Sequence, residues 1–119
     1  MGKPSRDKGK RGEREAAAEI ERLFGVPARR GQQFSGSPDS PDVVAGLPEV
    51  HIEVKRSEVF SAYKALAQAE LDSHAEYPLV IHRKNGKQWI AVCYLDDLPF
   101  LATAIYLTMV ENNGKKNDC

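Results

Sequence analysis

Soft-metal ligands and covalent staples are nearly missing from this chain. Its two cysteines, Cys93 and Cys119, show neither metal-ligand spacing nor a disulfide framework. That excludes a cysteine-built metal site and leaves Cys93 as a small core residue. Long apolar runs are missing as well. None approaches the roughly 18 residues of a membrane span, and none follows the basic N-terminus as a secretory signal requires. Net charge is absent too, because 17 basic residues balance 17 acidic ones. Bulk electrostatics therefore gives no pull toward nucleic acid. No internal repeat is visible. With 119 residues, the chain is sized for one domain and one modest core, which a partner subunit would help to complete. The expected location is the cytoplasm.

The charge that is present is unevenly placed. Residues 1–14 carry Lys3, Arg6, Lys8, Lys10, Arg11 and Arg14 against Asp7 and Glu13, six minus two, a local charge of plus four. Arg29–Arg30 and Lys55–Arg56 add two further basic pairs. A basic arm of this kind suits a phosphate-binding surface, although a solvated tail has the same composition. Residues 1–11, rich in Lys, Gly and Ser, predict a flexible basic arm. A single domain is expected over 12–111 and a polar tail over 112–119.

Hydrophobic periodicity predicts the elements. Ala16, Ala17, Ile20, Leu23 and Phe24 recur at three- and four-residue spacing, predicting a helix over 12–24. Gly25 and Pro27 stop it. A short strand is expected over 26–32, followed by the loop "SGSPDSP". Residues 42–45 and 50–55 read as two strands joined by a Gly-Leu-Pro-Glu turn. A second helix is expected over 58–75, then a strand over 79–83. Asn85–Gly86 is a hairpin signal, returning as a strand over 88–94. Asp96 or Asp97 is placed to cap a last helix over 98–110. That helix, "FLATAIYLTMV", is apolar nearly all round, so it is either well buried or part of a subunit contact. The order helix, three strands, helix, two strands, helix predicts an α/β sandwich on a mixed sheet.

The stretch "PDVVAGLPEVHIEVK", residues 41–55, raises the chemical question. Asp42, Glu53 and Lys55 interrupt two otherwise apolar runs. If residues 46–49 form a four-residue turn, Ala45 pairs with Val50, Val43 with Ile52 and Asp42 with Glu53. Opposed residues share a face with Cβ atoms roughly 5 Å apart, and like charges so placed repel. A hard divalent cation would neutralise them. Lys55, two residues past Glu53, shares that face and is placed to orient a water or to stabilise charge on phosphate. Simple alternation with a solvated polar face produces the same pattern, and a one-residue slip would move Asp42 to the other face. Glu13 adds weight, because it lies on the apolar stripe of the first helix and needs a partner there. A first-turn carboxylate favoured by the helix dipole accounts for it equally well. His51, His74 and His82 show no ligand spacing, though the register brings His51 near the acids.

These residues resemble the PD-(D/E)xK nuclease superfamily: Pro41-Asp42 stands for "PD" and Glu53-Val54-Lys55 for "ExK". A closer similarity is to the archaeal-type Holliday junction resolvases, phage-borne relatives included. That family has a basic start, a "GxxxERE" helix, one or more Arg, a Ser/Gly loop, an "xDLVA" strand and "IEVK". Here they are Gly9-Lys10-Arg11-Gly12-Glu13-Arg14-Glu15, Arg29-Arg30, "FSGSPDSPDVVA" and Ile52-Glu53-Val54-Lys55. The similarity spans roughly residues 9–72.

The resemblance implies a restriction-endonuclease-like α/β core, with a mixed sheet of about five strands flanked by helices. It implies Mg²⁺, replaceable by Mn²⁺, on Asp42 and Glu53 with Glu13 in or near the coordination shell, and Lys55 as the catalytic lysine. Lys10, Arg11, Arg14, Arg29, Arg30 and Arg56 would meet DNA, as would a loop serine, Ser35 or Ser37. Gln68 matches a supporting Gln of some nuclease branches, but a solvent-facing helix residue is the plainer reading of it. The implied activity is paired nicking of four-way DNA junctions by a homodimer, in the host cytoplasm where a phage carries the gene. The sequence departs from the family in its neutral charge and in a second "PD", Pro38-Asp39; Asp42 is preferred because it opens the apolar run. Three other readings remain open: a nuclease of the same superfamily acting on linear or flapped DNA, a catalytically inactive DNA-binding module of this fold, and a small interaction protein whose acids are merely exposed.

Overall fold

The computed structural model describes the backbone of residues 2–31 and 42–117, and the side chains of 10–31 and 42–113. Helix α1, Gly2–Phe24, leads into strand β1, Ala28–Arg30. Strands β2, Val43–Ala45, and β3, Val50–Arg56, follow, then helix α2, Ala62–Ser73. Strands β4, Tyr77–Arg83, and β5, Ile90–Val92, precede a 3₁₀ turn, Leu95–Asp97, and helix α3, Leu98–Asn117. The sheet runs β1-β2-β3-β4-β5. Only β3 and β4 are parallel, with α2 as their crossover; the other neighbours are antiparallel. This is the expected α/β architecture, a mixed five-stranded sheet flanked by helices. Among the described residues no helix is long and apolar enough to cross a membrane.

Several boundaries differ from the sequence reading. Helix α1 begins at Gly2 rather than at 12. Lys and Arg propagate a helix well beyond its apolar stripe, and Pro4 falls in the first turn, where its missing N–H is not needed. Helix α2 starts at Ala62 rather than 58, because β3 runs on to Arg56 and the Ser57 hydroxyl donates to the Val59 carbonyl across a bend. Strand β5 spans three residues of the expected seven. Asp96 and Asp97 lie in the 3₁₀ turn that runs directly into α3 at Leu98. Gly25 ends α1 as expected: it adopts φ 67°, and its N–H donates to the Glu21 carbonyl at 3.0 Å.

The two faces of the sheet are covered differently. Val50 and Ile52 of β3, Val43 of β2 and Leu79 of β4 pack against Ala16, Ala17 and Ile20 of α1 and Leu101 of α3. On the other face Val80 packs against Ala65, Leu66 and Ala69 of α2. Leu23 is 53% exposed, so the buried stripe of α1 is narrower than its spacing suggests. Helix α3 buries Leu101 while Phe100, Tyr106, Leu107 and Val110 stay exposed. Among the described residues most of its apolar surface is left open, apart from Phe100, which stacks on Tyr77 at 5.5 Å.

Helix α1 reaches the sheet so closely that position 12 has no room for a side chain. A Cβ on Gly12 would stand 2.5 Å from the Cβ of Arg56, an atom that cannot swing away. Gly12→Ala would gain about 1 kcal/mol of helix propensity and meet an overpacking penalty of about 1–3 kcal/mol. The expected outcome is a lower Tm in a thermal melt. An unchanged or raised Tm would show that helix and strand do not touch here.

Candidate active site

The backbone around Asp42 is fixed from both sides. Its N–H donates to the Ile52 carbonyl at 3.0 Å, and its carbonyl accepts from the Gly31 N–H at 2.8 Å. Val43 pairs with Ile52, as the four-residue turn requires. The next residue out, Asp42, therefore comes opposite Glu53 on one face. Asp42 Oδ2 accepts from the Val54 N–H at 2.8 Å, which turns the carboxyl toward β3.

The two carboxyls act on each other's ionisation in opposite directions. Burial first, and then the hydrogen bond and charge of Glu53, push the Asp42 acid from 3.8 up to about 7. Glu53, 7% exposed, moves the other way. Burial opposes its charge, but hydrogen bonds from His51 and Asp42 and the nearby Lys55 hold it ionised below the usual carboxylate range. The His51 Nε2 lies 2.8 Å from Glu53 Oε1. Burial disfavours the imidazolium, yet Glu53, Glu76 and Asp72 together raise its pKa.

Glu13 is placed differently. It comes from α1, its Oε2 lies 3.2 Å from Arg30 Nε, and its charge acts on both Glu53 and Asp42. That N–H is buried and not aligned to donate, so charge rather than a formed hydrogen bond joins the two. Burial raises the Glu13 pKa in spite of Arg30. Among the described residues no three His, Cys, Asp or Glu side chains gather closely enough to hold a metal ion. The opposed donors are the Asp42–Glu53 pair, and Glu13, beside Arg30, interacts with both through its charge. Two buried, mutually repelling carboxylates fit a hard divalent cation, and Mg²⁺ is ordinarily held by one or two carboxylates while keeping several waters.

Lys55 lines a cleft of about 240 Å³ beside the β3–α2 connection, with Ser57, Phe60, Ser61, Lys64 and Gln68. Its backbone is pinned: His82, its partner on β4, donates from Nδ1 to the Lys55 carbonyl at 2.7 Å and stacks on Phe60 at 4.0 Å. Gln68 shares the cleft, exposed, with its amide 3.3 Å from Asp72. Arg14, Arg29 and Arg30 line one groove of about 460 Å³ between α1 and β1. Lys10 and Arg11 are exposed on α1. Arg56 is turned inward: its Nε donates to Glu15 at 3.3 Å, tying α1 to the sheet, so it is not one of the exposed cations. Ser35, Ser37 and the alternative acid Asp39 lie outside the described residues. Lys64, which lines the cleft with Lys55, was not singled out from sequence, and the contact of His51 with Glu53 was not foreseen. His51 was discoverable, since it stands two residues before Glu53 on the same face; nothing in the local pattern marks Lys64.

The raised Asp42 pKa has a stability consequence in metal-free protein. A folded-state acid raised above its unfolded value stabilises fully below about pH 4, and that contribution is lost as pH climbs through about 7. Asp42→Asn removes the loss, because its amide carbonyl still accepts from Val54 and its NH₂ can donate to Glu53. With chelator present, the variant should melt about 5 °C or more above wild type at pH 8, and the two should converge near pH 4. A gap that does not change with pH would contradict the raised Asp42 pKa.

No protein-family model matches the sequence, and neither does any curated protein. Among solved structures the chain is similar to Hjc, a Holliday junction resolvase from the archaeal hyperthermophile Archaeoglobus fulgidus. The two are 24% identical, and the likeness covers 70% of this chain and 73% of that one, with a TM-score of 0.54. The chain is built on the α/β fold of that nuclease.

Proposed function

We propose that the chain is a Mg²⁺-dependent endonuclease of the resolvase type, a homodimer that nicks four-way DNA junctions in pairs. The observation that carries this reading is the Asp42–Glu53 pair, two carboxylates opposed across the β2–β3 ladder with Lys55 on the same face. A structural sheet has no use for that repulsion; phosphodiester hydrolysis does, once a cation relieves it. Bound Mg²⁺ would neutralise charge on the phosphate and acidify a water. Asp42, oriented by the Val54 N–H, and Glu53, kept ionised, would hold it. Lys55, fixed by the bond from His82 to its carbonyl, would place its ammonium against the attacking water or a phosphoryl oxygen. The groove of Arg14, Arg29 and Arg30 would bind backbone phosphates without reading bases. Four-way preference would come from the shape of the assembly. A two-fold dimer sets identical sites on symmetric strands, and the exposed Phe100, Tyr106, Leu107 and Val110 of α3 offer the contact.

Two experiments test the reading. Synthetic four-way junction, duplex and flap substrates are incubated with protein in Mg²⁺ or Mn²⁺. Wild type should nick the junction fastest, and Asp42→Ala should lose at least ~100-fold, the upper end of what removing an outer-shell partner costs. Faster cutting of duplex or flap would leave the nuclease but change the substrate; binding without cutting by wild type would sink the enzyme. For the assembly, Leu107→Lys should convert a dimer to a monomer in light scattering and should uncouple the two nicks. A wild-type monomer at micromolar concentration would contradict this.

A further inference from the structure

His51 takes no part in the scheme above, yet it is 1% exposed and among the largest fully buried side chains of the fold. A buried imidazole needs partners. Its Nε2 lies 2.8 Å from Glu53 Oε1. An ionised carboxylate only accepts, so Nε2 carries the hydrogen and donates. The ring's other nitrogen is 3.7 Å from Oε1 of Glu76, a half-exposed residue just before β4, too far for a hydrogen bond. The ring is seated on β3 opposite Pro78 of β4. With no solvent path, His51 cannot itself meet DNA or water. What it can reach is Glu53.

We propose that His51 is a positioning residue for the metal-ligating carboxylate of Glu53, an inference that rests on the function proposed above. The bond from Nε2 commits Oε1 and stops the carboxylate rotating, so the second oxygen is the one left to take a cation. The arrangement is local to one strand: residues two apart on β3 share a face, so ligand and orienting group are fixed by the same stretch of ladder. Imidazole–carboxylate pairs behind a metal ligand characteristically tune affinity by 10–100-fold.

The test uses the full chain, Mn²⁺ as the probe ion, and two variants. His51→Leu keeps an apolar side chain of similar bulk but has no donor; His51→Gln keeps an N–H that can reach Oε1. Mn²⁺ binding to DNA-free protein is measured by calorimetry, alongside Tm and the Mg²⁺ concentration giving half-maximal nicking. His51→Leu should weaken Mn²⁺ binding about 10–100-fold and raise the half-maximal Mg²⁺ by a similar factor, with nicking at saturating Mg²⁺ within a few-fold of wild type. His51→Gln should recover most of the affinity. Should His51→Leu not fold, His51→Asn, whose amide is too short to span to Oε1, takes its place. Wild-type affinity in a donorless variant, with only Tm lowered, would overturn the positioning role and leave the nuclease intact. A wild-type chain that neither binds Mn²⁺ nor nicks any branched DNA would overturn both.

Discussion

One unfavourable contact organises this molecule: two acids opposed across neighbouring strands. The ladder that carries them is tied on both sides of Asp42, through Ile52 and Gly31, so neither strand can slip to separate them. The Val54 N–H then holds the Asp42 carboxyl against β3. Without a cation the fold accommodates the pair by raising the Asp42 pKa and surrounding Glu53 with His51 and Lys55. Local stability is given up where a ligand would restore it, a common balance at functional sites.

Strand β3 serves two purposes at once. Val50 and Ile52 anchor it in the core under α1, while His51, Glu53 and Lys55 point toward the α2 side. Because the alternation is strict, moving any polar residue off its face would also pull an apolar one out of the core. The parallel neighbour β4 reinforces this, since His82 sits beside Lys55 and bonds its carbonyl. The site is therefore as rigid as the sheet that carries it.

Much of this was legible in the sequence because the relevant signals are local and periodic. The four-residue turn set the Val43–Ile52 register, and Asn85–Gly86 set the β4–β5 turn, where Gly86 takes φ 71°. The element order followed from period and breakers. What was not legible depends on tertiary placement. Arg56 and Arg29 look alike as basic residues, but one is tied to Glu15 and the other lies open in a groove. Glu13 sits on an apolar stripe in either reading; only packing shows that it meets Arg30. The start of α1 and the late start of α2 lie where apolar spacing is silent and backbone bonding decides.

The two ends of the sheet carry a consequence of their own. Both outer strands, Ala28–Arg30 and Ile90–Val92, are three residues long, and one bears two arginines. Edges so short and, on one side, so charged offer a poor template for a further strand. Sheet-to-sheet growth, which would run on without limit as a fibre, is thus disfavoured at both margins among the described residues. A second copy, as proposed above, would have to meet the helical surface instead, where like patches could face each other and close the assembly.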